Sequence, residues 1–139
     1  MNLVNETRLS IFTEVPENKE LNILYLLNQQ NTPEVGELVS INSLSELINM
    51  STVNFYVLED NEIIGFVICF REGSEYKSPN YRYFKNKEVK FLYIDRVVIK
   101  ESHRRRGAGS YLYDRLHDLA KKEGIPLCCE VNILPRNEI

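Results

Sequence analysis

The stretch from Val89 to Ser110 constrains this chain more than any other part of it. Val89–Ile99 is a run of mostly apolar residues, interrupted chiefly by Asp95 and Arg96, and reads as one long strand. It passes through Lys100-Glu101-Ser102-His103 into Arg104-Arg105-Arg106-Gly107-Ala108-Gly109-Ser110. Beyond the glycines, Ala108, Leu112, Leu116, Leu119 and Ala120 fall on one helical stripe, with Asp114, Arg115, Asp118 and Lys121 opposite, so a helix is expected over 107–123. Gly124 suits the left-handed position after such a helix, and Pro126 prevents its continuation. Leu127–Ile133 is then a further strand, and the helix between the two strands is a crossover.

The rest of the chain fits around that unit. Its 139 residues are the size of one domain, so residues 1–139 are treated as one. Residues 7–14 read as a first strand, and Leu21, Leu24, Tyr25 and Leu27 give a helix over 17–30. A shorter helix is expected around Leu44, Leu47 and Ile48, with Ser43 as its N-cap and Glu46 three residues on. Val53–Glu59 and Ile63–Phe70 form a hairpin about Asp60-Asn61-Glu62. Residues 71–87 combine Gly, Pro, Asn and four aromatics without a period and read as a long loop. The fold class is α/β, a mixed sheet with helices.

Composition excludes several functions. Seventeen Lys plus Arg against twenty Asp plus Glu give a net charge of −3, which argues against a basic nucleic-acid coat. No apolar run reaches the roughly 18–20 residues of a membrane span. The N-terminus shows no basic patch followed by an apolar segment, so no signal peptide is expected. Cys69, Cys128 and Cys129 are an odd number, and neighbours on a strand point to opposite faces, which disfavours a disulfide framework. No Cys or His spacing suits a metal, and a reducing cytoplasm is the expected setting.

The chemistry concentrates at the basic glycine turn. Two glycines let a ligand approach the backbone, the first N–H groups of a helix lack intrahelical acceptors, and the helix dipole favours an anion there. With Arg104, Arg105 and Arg106 this makes a site for a phosphate or pyrophosphate. It is neither a Walker loop nor a dinucleotide G-x-G-x-x-G. The spacing Arg104-x-x-Gly107-x-Gly109, after a strand and before an amphipathic helix, resembles the GNAT superfamily of acyl-CoA N-acyltransferases, over roughly residues 53–137.

The resemblance implies a three-layer α/β/α fold with a splayed central sheet and acetyl-CoA, hence coenzyme A, as cofactor. Main-chain groups from Arg105 through Gly107, Ala108, Gly109 and Ser110 would hold the pyrophosphate, led by Arg104. The strand Val97-Val98-Ile99 would offer Val97 and Ile99 main-chain groups to the pantetheine arm, between that strand and the one containing Val131. Asn132 and Asn137 match the asparagine-containing end of the second strand. Asp95 matches the position of a carboxylate base and is expected on the same strand face as Val97. Arg96 is expected on the opposite face, paired with Glu130, which could alternatively bind the acceptor amine. The Val97 or Ile99 N–H would face the developing oxyanion. Tyr81 and Tyr83 are expected to line the acceptor site, and His103 to lie on the surface.

The resemblance implies direct transfer of an acetyl group from the CoA thioester to an amine of a small molecule or peptide. The alternatives are a non-catalytic acyl-CoA-binding or sensing domain and, less in keeping with the charge, an RNA- or anion-binding module. The chain ends at Ile139, where the superfamily continues with a helix, two strands and often a tyrosine acid, so the expectation is a C-terminally truncated version. An open strand edge near Leu127–Ile133 would then invite a homodimer.

Overall fold

A computed structural model describes residues 7–11, 14–33, 35–103 and 107–129. The chain order is β1 (Thr7–Ile11), α1 (Asn18–Gln30), α2 (Ile41–Met50), β2 (Val53–Glu59), β3 (Glu62–Arg71), α3 (Pro79–Lys87), β4 (Leu92–Ile99), a single 3-10 turn (Glu101–His103), α4 (Ala108–Glu123) and β5 (Leu127–Cys129). The five strands form one sheet in sequence order. β1 to β4 are successively antiparallel, and β5 joins β4 in parallel, Leu92 opposite Leu127 and Ile94 opposite Cys129. The parallel pair is what the crossover through α4 requires.

Each face of the sheet carries its own core. On one, Leu21, Leu24 and Leu27 of α1, Leu44, Leu47 and Ile48 of α2 and Tyr81 of α3 pack on Phe66, Ile68, Phe70, Tyr93 and Val98. On the other, Ala108, Leu112, Leu116 and Ala120 of α4 cover Val57, Val67, Cys69, Leu92, Ile94 and Ile99. Full burial of one such Leu or Phe contributes about 1.5–3 kcal/mol, so α1, α2 and α4 are held chiefly by their stripes. Cys128 packs in the first core and Cys129 against the second, the opposite-face arrangement expected of strand neighbours.

Local chemistry sets the boundaries. The β2–β3 turn is tighter than its sequence suggests. Asp60 and Asn61 both adopt positive φ (50° and 68°), a two-residue turn matched to strand twist, and Glu62 already pairs with Glu59. The N-cap of α2 is Ser40 rather than Ser43, its side chain accepting from the Ser43 N–H. The long strand begins at Leu92, not at Val89.

The 71–87 segment corrects the loop reading, since Pro79–Lys87 is helical. Ser78 caps it by accepting from the Tyr81 N–H, and Pro79 stands where a missing N–H costs nothing. Among its described residues only Tyr81 is buried, so α3 has no apolar stripe to announce it. Among the described residues no helix is long and apolar enough to cross a membrane.

Candidate active site

Two irregularities in the ladder decide which groups are available for chemistry. Ile68 of β3 pairs with Arg96 and Cys69 with Ile94, so Asp95 is an extra residue, a bulge, on β4. Leu92 and Lys100, an even number of positions apart, would direct their N–H groups to the same side of a regular strand. Instead the Leu92 N–H donates to the Pro126 carbonyl on the β5 side (2.9 Å) and the Lys100 N–H to the Ile64 carbonyl on the β3 side (2.6 Å). The bulge therefore turns the main-chain groups of Val97 and Ile99 away from β3, toward the edge where β5 pairs. Among the described residues that pairing ends at Ile94 and Cys129, which leaves the Val97 and Ile99 edge available.

The bulge also corrects the side-chain alternation. Val97 packs with the α4 core, whereas Asp95 meets groups on the α1–α3 face, so the two do not share a face. Arg96 does not oppose Asp95: its Nε donates to Asp95 Oδ2 at 2.7 Å. Its Nη1 donates to Asn28 Oδ1 (2.8 Å) and to the Gly36 carbonyl (3.1 Å), tying β4 to α1 and the segment after it. The other Asp95 oxygen accepts from the Tyr76 hydroxyl at 2.6 Å. Asp95 and Arg96 side chains are 6% and 9% exposed, so this pair is nearly shielded from water. Burial first, and then the Asp95 charge, push the Tyr76 hydroxyl well above the ordinary tyrosine range, so it stays a donor. Tyr76 stacks on Phe70 (centroids 4.3 Å apart), which fixes its ring. The aromatic character of 76–84 was visible in the sequence; that Tyr76 is the ring reaching Asp95 was not.

At the far end of β4 the α4 helix begins unlike its neighbours. Ser40 and Ser78 cap α2 and α3 through their side chains; α4, like α1, has no side-chain cap, and it alone starts from a left-handed residue, Gly107, with φ 84°. The Tyr111 N–H is bonded to the Gly107 carbonyl (3.0 Å), so the N–H groups of Ala108, Gly109 and Ser110 precede the intrahelical ladder. A Cβ placed on Gly107 or Gly109 would meet nothing within 4 Å among the described residues. Among the described residues these donors have no side-chain cap and no atom crowds the two glycines, which suits a ligand with an anionic end.

The Acetyltransferase (GNAT) family matches residues 19–138. This chain belongs to the GNAT acetyltransferase family. No curated protein matches it. Among solved structures, an aminoglycoside N-acetyltransferase, AAC(6')-Iy in complex with CoA, is similar over 99% of this chain and 84% of that one, with a TM-score of 0.66 and 13% identity. A ribosomal-protein-alanine N-acetyltransferase from Brucella melitensis biovar Abortus covers 95% and 84%, at a TM-score of 0.63 and 16% identity. An acetyltransferase of Trypanosoma brucei covers 96% and 89%, at 0.61 and 16%. At such identities the likeness is one of fold.

Within this GNAT domain the other expected site residues are distributed unevenly. Arg104, Arg105, Arg106, Glu130, Asn132, Asn137 and the Val131 strand lie outside the described residues. Val98 turns its side chain into the α1–α3 core, and by the alternation above its main-chain groups face β3. Tyr81 is fully buried, with its hydroxyl donating to the Arg71 carbonyl (2.7 Å) and accepting from the Ser74 N–H (3.0 Å). Tyr83 is exposed, edge-on to Phe84 and beneath Lys87 Nζ. His103 is buried rather than on the surface, its Nδ1 at 2.9 Å from Ser102 Oγ and its Nε2 at 3.2 Å from Glu59 Oε1. Among the described residues no cluster of His, Cys, Asp or Glu suits a metal ion.

Proposed function

We propose that this GNAT domain is an acetyl-CoA-dependent N-acetyltransferase that passes the acetyl group directly to an amine of a small molecule or peptide. The observation that carries the reading is the bulge at Asp95, which turns Val97 and Ile99 to the free edge while Asp95 faces the other way. One strand thereby serves the cofactor with its backbone and the acceptor with a side chain. Acetyl-CoA supplies the acetyl group as an activated thioester. The Val97 and Ile99 main chains hold the pantetheine arm, and one of their N–H groups faces the carbonyl oxygen as negative charge develops, a contribution of about 3–4 kcal/mol to the barrier. The Ala108, Gly109 and Ser110 N–H groups hold the pyrophosphate, joined by Arg104, Arg105 and Arg106, with Asn132 and Asn137 as further proposed cofactor contacts.

On the acceptor side, Asp95 would hold the amine and receive its proton directly or through water as the C–N bond forms, while the C–S bond breaks and coenzyme A leaves as its thiolate, to be protonated from solvent. An ionised carboxylate offers about four acceptor sites, so the bonds from Tyr76 and Arg96 leave room for the amine. Glu130, next in sequence after β5, is the second carboxylate proposed to bind the acceptor amine. Direct transfer is supported by the thiols: burial pushes Cys69, Cys128 and Cys129 above the ordinary range, whereas an acyl relay needs a thiolate.

The test is thermal melting with acetyl-CoA and with ATP as a phosphate-bearing control. At about 100 Kd the cofactor should add roughly 2.7 kcal/mol, a shift of several degrees. Gly109→Val, which places a side chain in the cradle without backbone strain, should abolish the shift and leave the unliganded melt in place. An equal shift with ATP, or a shift unaffected by Gly109→Val, would overturn the reading. Free-thiol release with a panel of amines then tests turnover.

A further inference from the structure

A second concavity lies beside the Asp95 network, between the segment leading out of β3 and the helix α3. It encloses about 400 Å³ and is lined by Glu75, Tyr76, Lys77, Arg82, Lys85 and Asn86. The sequence around it is basic. Residues 77–90 contain five of the seventeen basic residues and one of the twenty acidic ones, in a chain whose net charge is −3.

Several described cations elsewhere are matched: Arg71 by Glu72 and Glu123, Arg96 by Asp95, Lys100 by Glu62 and Arg115 by Asp118. Around this pocket, Lys77 and Arg82 have no acidic partner within 4.0 Å among the described residues. Lys85 donates only to a neutral group, the Ser74 carbonyl (3.2 Å), which leaves two ammonium donors. Three cations converge on a hollow that holds one carboxylate, Glu75. Lysines on a convex helix face are simply solvated, but cations gathered around a cavity with an amide at its rim complement an oxyanion. A guanidinium fork with ammonium groups beside it is suited to a carboxylate or phosphate.

Position gives the pocket its meaning. Tyr76 is common to both sites, lining the hollow and reaching Asp95 through its hydroxyl. A molecule seated there is one tyrosine side chain away from the carboxylate that receives the acceptor amine.

We propose that this pocket is an anion subsite that seats a carboxylate or phosphate group of the acceptor, so that the enzyme selects amines carrying an acid group over polycationic amines. The acceptor half of this inference rests on the acetyltransfer reading above; the anion site itself does not. Like charges repel a polycation from Lys77, Arg82 and Lys85, whereas an acid-bearing amine places opposite charges at both ends of the groove.

The decisive experiment is an amide-resolved NMR titration of the full chain with inorganic phosphate. Saturable shifts are expected at residues 75–86. They should vanish in Arg82→Gln with Lys85→Gln, both exposed positions, and persist in Gly109→Val, which separates them from phosphate at the α4 terminus. No saturable shift at 75–86, or shifts unchanged in the double variant, overturns the subsite. In turnover assays the same double variant should raise KM for acid-bearing amines roughly tenfold while leaving the acetyl-CoA melt shift intact, the scale of a lost charge-assisted contact. Turnover confined to polycationic amines would overturn the selectivity. Phosphate binding at 75–86 by a chain that acetylates no amine would overturn the acetyltransfer reading and leave the anion subsite standing.

Discussion

Arg96 reaches back to its own neighbour, its Nε donating to Asp95 Oδ2 at 2.7 Å, although adjacent residues in a regular strand point to opposite faces. The bulge makes this possible, and it fixes both where the carboxylate points and which backbone groups of β4 are left for a ligand. With the two side chains 6% and 9% exposed, truncating one leaves the other charge buried and unpaired. Arg96→Ala is therefore expected to cost about 3–5 kcal/mol. Arg96→Met combined with Asp95→Asn should recover part of that by removing both charges. Urea unfolding measures both, and a loss below about 1 kcal/mol for Arg96→Ala would refute the tight-pair account.

The glycines divide into two kinds. A Cβ on Gly65 would lie 2.5 Å from the Val98 carbonyl oxygen and 3.0 Å from Ile99 Cδ1, so neighbouring backbone must move. Gly65→Ala should destabilise by about 1–3 kcal/mol. On Gly109 the same atom meets open space in a helix, and Gly109→Ala should leave stability unchanged or raise it by about 0.5–1 kcal/mol. A pair of melting curves distinguishes them, and equal effects would contradict the geometry.

Alkaline pH should weaken the fold through its tyrosines. Burial first, then the Asp95 charge, raises the Tyr76 hydroxyl, and burial raises Tyr81. The unfolded chain ionises its tyrosines near pH 10, while the folded chain keeps these two protonated. Above that pH the unfolded state binds fewer protons, so stability falls as pH rises, with the full contribution present below about 10. Tyrosinate absorbance should show native groups that titrate only on unfolding. Complete tyrosinate formation in the folded protein at pH 11 would contradict the assignment.

The thiols give an independent check on direct transfer. Burial raises Cys69, with Asp95 adding to it, and burial also raises Cys128 and Cys129. A thiol-disulfide reagent at pH 8 should label the folded protein slowly and all three cysteines once it is unfolded. Rapid labelling of Cys128 or Cys129 in the folded state would reopen an acyl-cysteine route.

Several parts of the fold were legible because they follow from local periodicity. The Val89–Ile99 run, the stripe Ala108–Leu112–Leu116–Ala120 and the β-rich runs of β2 and β3 identify elements that need no knowledge of their partners. The glycine turn was legible because Gly107 takes a left-handed backbone, a local demand. The helix α3 was hidden by its Tyr, Asn and Lys composition and by burying one side chain, although Ser78-Pro79 carries a cap-and-proline signal.

Tertiary structure decided what periodicity cannot encode. The extra residue at Asp95 exists only as a mismatch between β3 and β4, so nothing within 92–99 marks it. Tyr76 rather than Tyr81 came to the carboxylate because Tyr81 was drawn into a cluster with Phe70, Phe91 and Tyr93, leaving the shallower ring to span the distance. His103 was buried because Glu59, far away in sequence, stands beside it once the hairpin packs. The sequence by itself determined most of the elements and the glycine start of α4, since each is satisfied within one strand or one helix. Which side chains share a face, and which backbone groups stay free, depended on the register between strands, a property of two segments that neither contains alone.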